Sequence, residues 1–227
     1  MYRLFTARPL GKHTMIKIAP SILAGDFGNL AREAARAEEA GADLLHVDIM
    51  DGHFVPNLTV GPQAVAAIAK ATKLPLDVHL MLSRPDLYVD AFIAAGAAMI
   101  SVHVEANHDL EATVNRLCAK GVRASVVFNP DTPFHLSDAA LDKIKMVLFM
   151  SVFPGFGGQK FIAPVLEKIR GAKATLRKRG IDIEIDGGVT LETAKAAVAA
   201  GANVLVSGTA LYGSPDMKKT IEQMRAG

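Results

Sequence analysis

Five times this chain closes a helical pattern on a glycine and runs at once into an apolar, β-branched stretch. The stretches are EEAGADLLHVD at Gly41, IAAGAAMISVHVE at Gly96, CAKGVRASVVFN at Gly121, RKRGIDIEIDGG at Gly180 and VAAGANVLVSG at Gly201. Glycine suits the left-handed position that closes a helix. The runs that follow suit buried parallel strands. AKATKLPLDVHLM and DAALDKIKMVLFMSV are weaker versions, entering strands near Leu74 and Lys145, and MIKIAPSIL supplies a first strand. That makes eight strands, followed by helical segments over 28–40, 61–72, 86–95, 109–120, 137–142, 161–179, 190–200 and 216–225. Eight such units in 227 residues predict an α/β chain with one domain over 15–227, a (β/α)8 TIM barrel. The competing doubly wound sheet is weakened because no G-x-G-x-x-G follows the first strand.

The segment before this domain, MYRLFTARPLGKHT over 1–14, holds Arg3, Arg8 and Lys12 and no acidic residue. It lacks the apolar run of a secretory signal. It is expected to be a basic, disordered extension, with a short transit-peptide remnant as the alternative. A net charge of +2 gives no reason to expect nucleic acid or an anionic membrane as partner. No apolar run reaches the roughly 18 residues needed to span a bilayer. The single Cys118 excludes an internal disulfide and, on a helical pattern, is read as packed rather than reactive. A cytoplasmic protein is expected, and the aliphatic outer helix faces allow a homo-oligomer.

Side chains alternate across a strand, so in a barrel one set faces the helices and the other the axis. In LLHVDIMDGHFVPN, Leu45, Val47 and Ile49 should face the helices, which turns His46, Asp48 and Met50 inward. Strand 3 turns Asp77, His79 and Met81 inward, strand 7 Glu184 and Asp186, and strand 1 Ser21. Buried charges need partners. Two imidazoles and two carboxylates, His46, His79, Asp48 and Asp186, suit one divalent cation such as Zn²⁺, Fe²⁺, Mn²⁺ or Co²⁺. The bland reading of each is a hydrogen-bonded core residue; their matching phase on three strands favours the metal. His53 and Asp51 fall in the loop after strand 2, where Asp51 is read as ordering the loop. His103 and Glu105 end strand 4; a place just behind the ligands is open to them, and they are left outside the ligand set.

Three glycine-rich loops, PGFGGQKF (154–161), DGGV (186–189) and SGTALYG (207–213), follow strands 6, 7 and 8. Converging backbone N–H groups there suit an anion, and barrels often bind phosphate after strands 7 and 8. None carries the Lys–Ser/Thr of a nucleotide P-loop, so a sugar phosphate is the expected ligand. A metal flanked by carboxylates can activate water, or can stabilise an enediolate while carboxylates move a proton. Met50, Met81 and Met150 would cap the metal with thioethers and exclude water, which favours the second course. Lys17 and Lys145 lie too early in their strands for a Schiff-base lyase. The residues by themselves reach metal-assisted proton transfer on a phosphorylated sugar.

Five stretches in order, IAPSILAGDF, HVDIMDGHFVPNLTVGP, DVHLM, PGFGGQKF and IDGGV, resemble the ribulose-phosphate 3-epimerase family over about Ile18 to Tyr212. The resemblance implies interconversion of D-ribulose 5-phosphate and D-xylulose 5-phosphate at C3 through a metal-stabilised enediolate. It implies His46, Asp48, His79 and Asp186 as metal ligands, with Asp48 and Asp186 as acid/base groups on opposite faces of the carbon. Ser21 and His79 would touch substrate. Gly155, Phe156, Gly157, Gly158, Gly187, Gly188, Gly208 and Thr209 would hold the phosphate end, and Met50, Met81 and Met150 would shield the metal. Phe153 stands where a polar residue is expected, and VSGTALY departs from the commoner strand 8 wording. A related group acts on D-allulose 6-phosphate with the same metal set, and a phosphosugar hydrolase is the rival from another class.

Overall fold

The computed structural model describes residues 15–226; the extension read over 1–14 lies outside them. Eight parallel strands form one sheet, β1 (Lys17–Pro20), β2 (Leu45–Met50), β3 (Leu76–Met81), β4 (Met99–His103), β5 (Arg123–Phe128), β6 (Met146–Met150), β7 (Asp182–Asp186) and β8 (Val204–Ser207). Neighbours pair in chain order, and β1 pairs with β8. A single parallel bridge, Ser21 to His46, closes the ring between β1 and β2. The molecule is a (β/α)8 TIM barrel, as the repeated phrase predicts.

The helices are α1 (Leu30–Glu39), α2 (Pro62–Ala71), α3 (Val89–Ala94), α4 (Leu110–Ala119), α5 (Asp138–Leu141), α6 (Val165–Lys178), α7 (Leu191–Ala200), α8 (Thr209–Tyr212) and α9 (Met217–Ala226). All five junction glycines have positive φ, from 67° at Gly180 to 132° at Gly201. Starts are set by caps: Asp109 accepts from Ala112 N–H, Ser137 from Ala140 N–H, and Thr190 and Thr193 form a reciprocal capping box.

Several boundaries differ from the sequence reading. The helix expected over 161–179 begins only after Pro164, because a residue preceding proline avoids helical torsions. The first parts of 28–40 and 86–95 are tight 3-10 turns, Phe27–Asn29 and Pro85–Leu87. SGTALYG, read as a loop, contains the one-turn α8. Cys118 is exposed, not packed. The buried stripe of α4 is Thr113, Val114 and Leu117, and the next residue turns about 100° away from it.

The alternation sorts the strands as expected. Leu45, Val47, Ile49, Val78, Leu80, Ile183 and Ile185 join the helices in one continuous apolar core. Inside the ring, Ala19, Leu44, Met99, Met146 and Val204 form a separate apolar group. The same interior holds a fully buried polar layer of His46, Asp77, His79, Ser101, His103, Ser125 and Glu184.

Candidate metal and active site

The pairing register of β2 with β3 sets the site. His46 lies beside Asp77, and Asp48 beside His79. His46 Nδ1 is 2.6 Å from Asp77 Oδ2, a short contact in which the imidazole donates. Its Nε2 therefore faces the axis, where it is buried and makes no hydrogen bond among the described residues. That nitrogen lies 3.3 Å from Asp48 Oδ1 and 3.9 Å from Asp186 Oδ2. His79 Nδ1 is also 3.3 Å from Asp48 Oδ1. One donor atom from each of His46, Asp48, His79 and Asp186 lies within 4.8 Å of the others. An orphaned buried imidazole nitrogen aimed into two carboxylates and a second imidazole fits a divalent cation well. The mixed nitrogen and oxygen set suits Zn²⁺, Fe²⁺, Mn²⁺ or Co²⁺ better than Mg²⁺ or Ca²⁺.

The electrostatics point the same way. Burial opposes charge on His46, yet the Asp48 and Asp77 carboxylates raise its pKa well above the ordinary imidazole value. A place that holds a proton so firmly attracts a cation. Asp48 is held far below the usual carboxylate range by His46 and His79, against its burial. Asp186 moves the other way: burial, then the charge of Asp48, pushes it up to about 6. Two neighbouring carboxyls with pKa values driven apart are the pattern of an acid and a base. Beside them, burial and the charge of Asp77 raise the pKa of Glu184 well above its ordinary value, and its Oε1 lies 3.9 Å from His46 Nδ1.

Above the cluster, a cavity of about 540 Å³ opens at the C-terminal ends of the strands. Ser21, Asp48 and Asp186 line it, as do Met50, Met81 and Met150, whereas His46 and His79 are fully buried beneath. Ser21 Oγ donates to Asp48 Oδ2 at 2.7 Å. Met50 and Met81 pack together with Val55, while Met150 belongs to a separate group with Val127, Leu148 and Val152. Gly155, Phe156, Gly157, Gly158, Gly187, Gly188, Gly208 and Thr209 all border the same cavity. At Gly187 (φ 115°) and Gly188 (φ 64°) no side chain fits: an added Cβ would lie 2.5 Å from Val152 Cγ2 and 2.7 Å from Phe161 N respectively. Phe153, the departure noted above, is exposed.

The sequence reading left out Asn57 and Gln159, which organise this site, and named Asp51, His103 and Glu105 without a ligand role. Asn57 Nδ2 donates to the Gly155 carbonyl at 2.7 Å, tying the loop after β2 to the loop after β6. Gln159 Nε2 donates to the carbonyls of Phe153 and Phe156 and holds the second loop in shape. Asp51 accepts backbone N–H bonds from His53, Phe54 and Ser83, each at 2.8 Å, so it does order its loop. His103 Nε2 lies 2.9 Å from His79 Nε2, and His103 Nδ1 lies 3.0 Å from Glu105 Oε2. Burial pushes the His103 imidazole down to about 4; Glu105, despite its own burial, is brought down to about 2 by bonds from His103, Thr132 and Asn129. Asp77 and Glu184 were visible as inward residues from their phase; their pairing with His46 was not.

Residues 17–212 match the model of the ribulose-phosphate 3 epimerase family. The chain is 50% identical to a ribulose-phosphate 3-epimerase of Bacillus subtilis over 214 residues, covering 93% of this chain and 99% of that one. It is 44% identical to an Escherichia coli K12 ribulose-phosphate 3-epimerase, covering 92% and 94%. A chloroplastic ribulose-5-phosphate-3-epimerase of Arabidopsis thaliana is 45% identical, covering 93% and 76%. Among solved structures, a tryptophan synthase A-subunit of Pyrococcus furiosus superposes with a TM-score of 0.68 at 14% identity, covering 96% and 100%. At that identity the likeness shows the barrel fold alone. No helix among the described residues is long and apolar enough to cross a membrane.

Proposed function

The chain belongs to the ribulose-phosphate 3-epimerase family and is thus an isomerase, and on that premise we propose that it inverts C3 of a ketose phosphate, interconverting D-ribulose 5-phosphate and D-xylulose 5-phosphate. The observation that carries this reading is the pair of carboxylates from β2 and β7 that converge with two imidazoles and both line the cavity. Asp48, ionised and oriented by Ser21, takes the C3 proton from one face. Asp186, which reaches the same site from β7, returns a proton to the opposite face. In the reverse direction the two exchange roles. His46 Nε2, His79 Nδ1, Asp48 and Asp186 would hold one divalent cation, Zn²⁺, Fe²⁺, Mn²⁺ or Co²⁺. When bound, that cation supplies positive charge against the oxygens that become anionic beside the carbon being deprotonated.

Met50, Met81 and Met150 keep water from the reacting carbon, which protects the intermediate against side reactions. The phosphate is read into the cavity's glycine end, with backbone N–H groups of 155–158, Gly187, Gly188, Gly208 and Thr209 as its partners. Gly187 and Gly188 support the reading, since neither site has room for a Cβ and a bare backbone lets an anion approach.

Proton NMR of D-ribulose 5-phosphate in D₂O tests the chemistry. Loss of the C3 proton signal with appearance of D-xylulose 5-phosphate, suppressed by a chelator, is the expected result. Asp186→Asn should lower kcat about 10³-fold with the fold intact; substantial residual turnover would defeat its role. Release of inorganic phosphate would instead favour a hydrolase. Turnover confined to D-allulose 6-phosphate would change the substrate.

A further inference from the structure

The ligand reading needs His79 to present Nδ1 as a bare electron pair, and His79 alone does not decide this. Its Nε2 meets His103 Nε2 at 2.9 Å, and one proton lies in that contact. Two arrangements satisfy it. In one, His79 donates from Nε2 and its Nδ1 is free. In the other, His103 donates, and the proton of His79 moves to Nδ1, pointing at Asp48 Oδ1 3.3 Å away. The second arrangement blocks the nitrogen a cation would use.

Glu105 breaks the tie. Its Oε2 faces His103 Nδ1 at 3.0 Å, while its Oε1 accepts the Asn129 N–H at 2.8 Å. A carboxylate accepts only, so His103 must carry its proton on Nδ1. Its Nε2 is then the acceptor, and His79 must donate to it. Both imidazoles of the relay are fully buried, and the Phe54 ring packs 4.7 Å from that of His103, so only the Glu105 end reaches solvent. His46 receives the same instruction directly from Asp77. We propose that Glu105, acting through His103, is a positioning residue that fixes the His79 proton on Nε2 and so turns Nδ1 toward the cluster. The inference rests on the ligand assignment above, and outer partners of this kind typically change metal affinity 10–100-fold.

The test uses full-length apoprotein with ¹⁵N-labelled histidine. Long-range ¹H–¹⁵N correlation should show His79 protonated at Nε2 and bare at Nδ1. Glu105→Gln can keep its oxygen on Asn129 N–H while placing an amide donor on His103 Nδ1, which reverses the relay. His79 should then carry its proton on Nδ1, and Zn²⁺ affinity by chelator competition should fall about 10–100-fold. His103→Phe should cause a similar loss, and the double variant should be no weaker than His103→Phe alone, since both break one chain of contacts. If Glu105→Gln does not fold, His103→Phe carries the test. A wild-type His79 protonated at Nδ1, or variants with unchanged tautomer and zinc affinity, would overturn the proposal. Wild-type protein that takes up no zinc would defeat the ligand reading, and the tautomer would still decide the relay.

Discussion

Gly188 concentrates the demands on a single residue. Its φ of 64° is disfavoured for any residue with a Cβ, and that Cβ would lie 2.7 Å from Phe161 N and 2.9 Å from Gln159 O. Both neighbours are backbone, so neither can step aside alone. Gly188→Ala should push the loop after β6 away from the loop after β7, where the phosphate is read to bind. KM for the sugar phosphate is expected to rise tenfold or more, with Zn²⁺ affinity unchanged. Steady-state kinetics and a zinc titration check this, and an unchanged KM would remove Gly188 from the phosphate end. At this scale the sequence was informative where one strand's alternation suffices: His46, Asp48, His79 and Asp186 all turn inward as their phase requires. It was silent where a partner lies on the next strand. The His46–Asp77 and His79–His103 contacts depend on the registers of β2 with β3 and of β3 with β4. Alternation within one strand leaves those registers open.

Among the elements, the loop after β2 matters most, because its Val55 packs against Met50 and Met81 and its Asn57 meets the loop after β6. Asp51 is its anchor. Burial tends to raise the Asp51 pKa, but backbone N–H bonds from Ser83, Phe54 and His53 lower it below the ordinary 3.8. A folded-state pKa below the unfolded one means stabilisation that is complete above about pH 4. It is lost as pH falls through the folded value. Asp51→Asn can still accept from two of the three N–H groups, but its amide would face Ser83 N–H donor to donor. A loss of about 1–3 kcal/mol follows at neutral pH. The gap between wild type and variant, by urea unfolding, should stay constant from pH 7 to 5 and close at lower pH. A gap that persisted into strong acid would show that the carboxylate charge is not what holds the loop. Element boundaries were legible where glycine closes a helix, and less so where a 3-10 turn or proline delays its start, as at Phe27–Asn29 and Pro164.

The whole barrel is pinned at two ends of one strand. Asp186 ends β7 within the candidate ligand cluster. Asp182 begins it, accepting from Lys17 Nζ and Asn203 Nδ2 at 2.7 Å each and from Arg123 at 3.4 Å, which draws β1, β5 and β8 together. Four steps along the strand separate them, about 13 Å at the usual rise. That exceeds the range over which perturbations normally couple. A cation that binds only the folded state at 100 times its Kd adds about 2.7 kcal/mol. In a chain of this size that corresponds to a Tm higher by about 5–10 °C than after chelation. Asp182→Ala should lower Tm in both states by loosening the lower end, while the shift between metal-loaded and chelated protein should match the wild type. Calorimetry of the four samples measures this. A metal-induced shift that shrinks in Asp182→Ala would mean that the lower ion network helps assemble the ligand cluster through β7. A shift that vanishes in wild-type protein would mean that the four converging donors hold no cation.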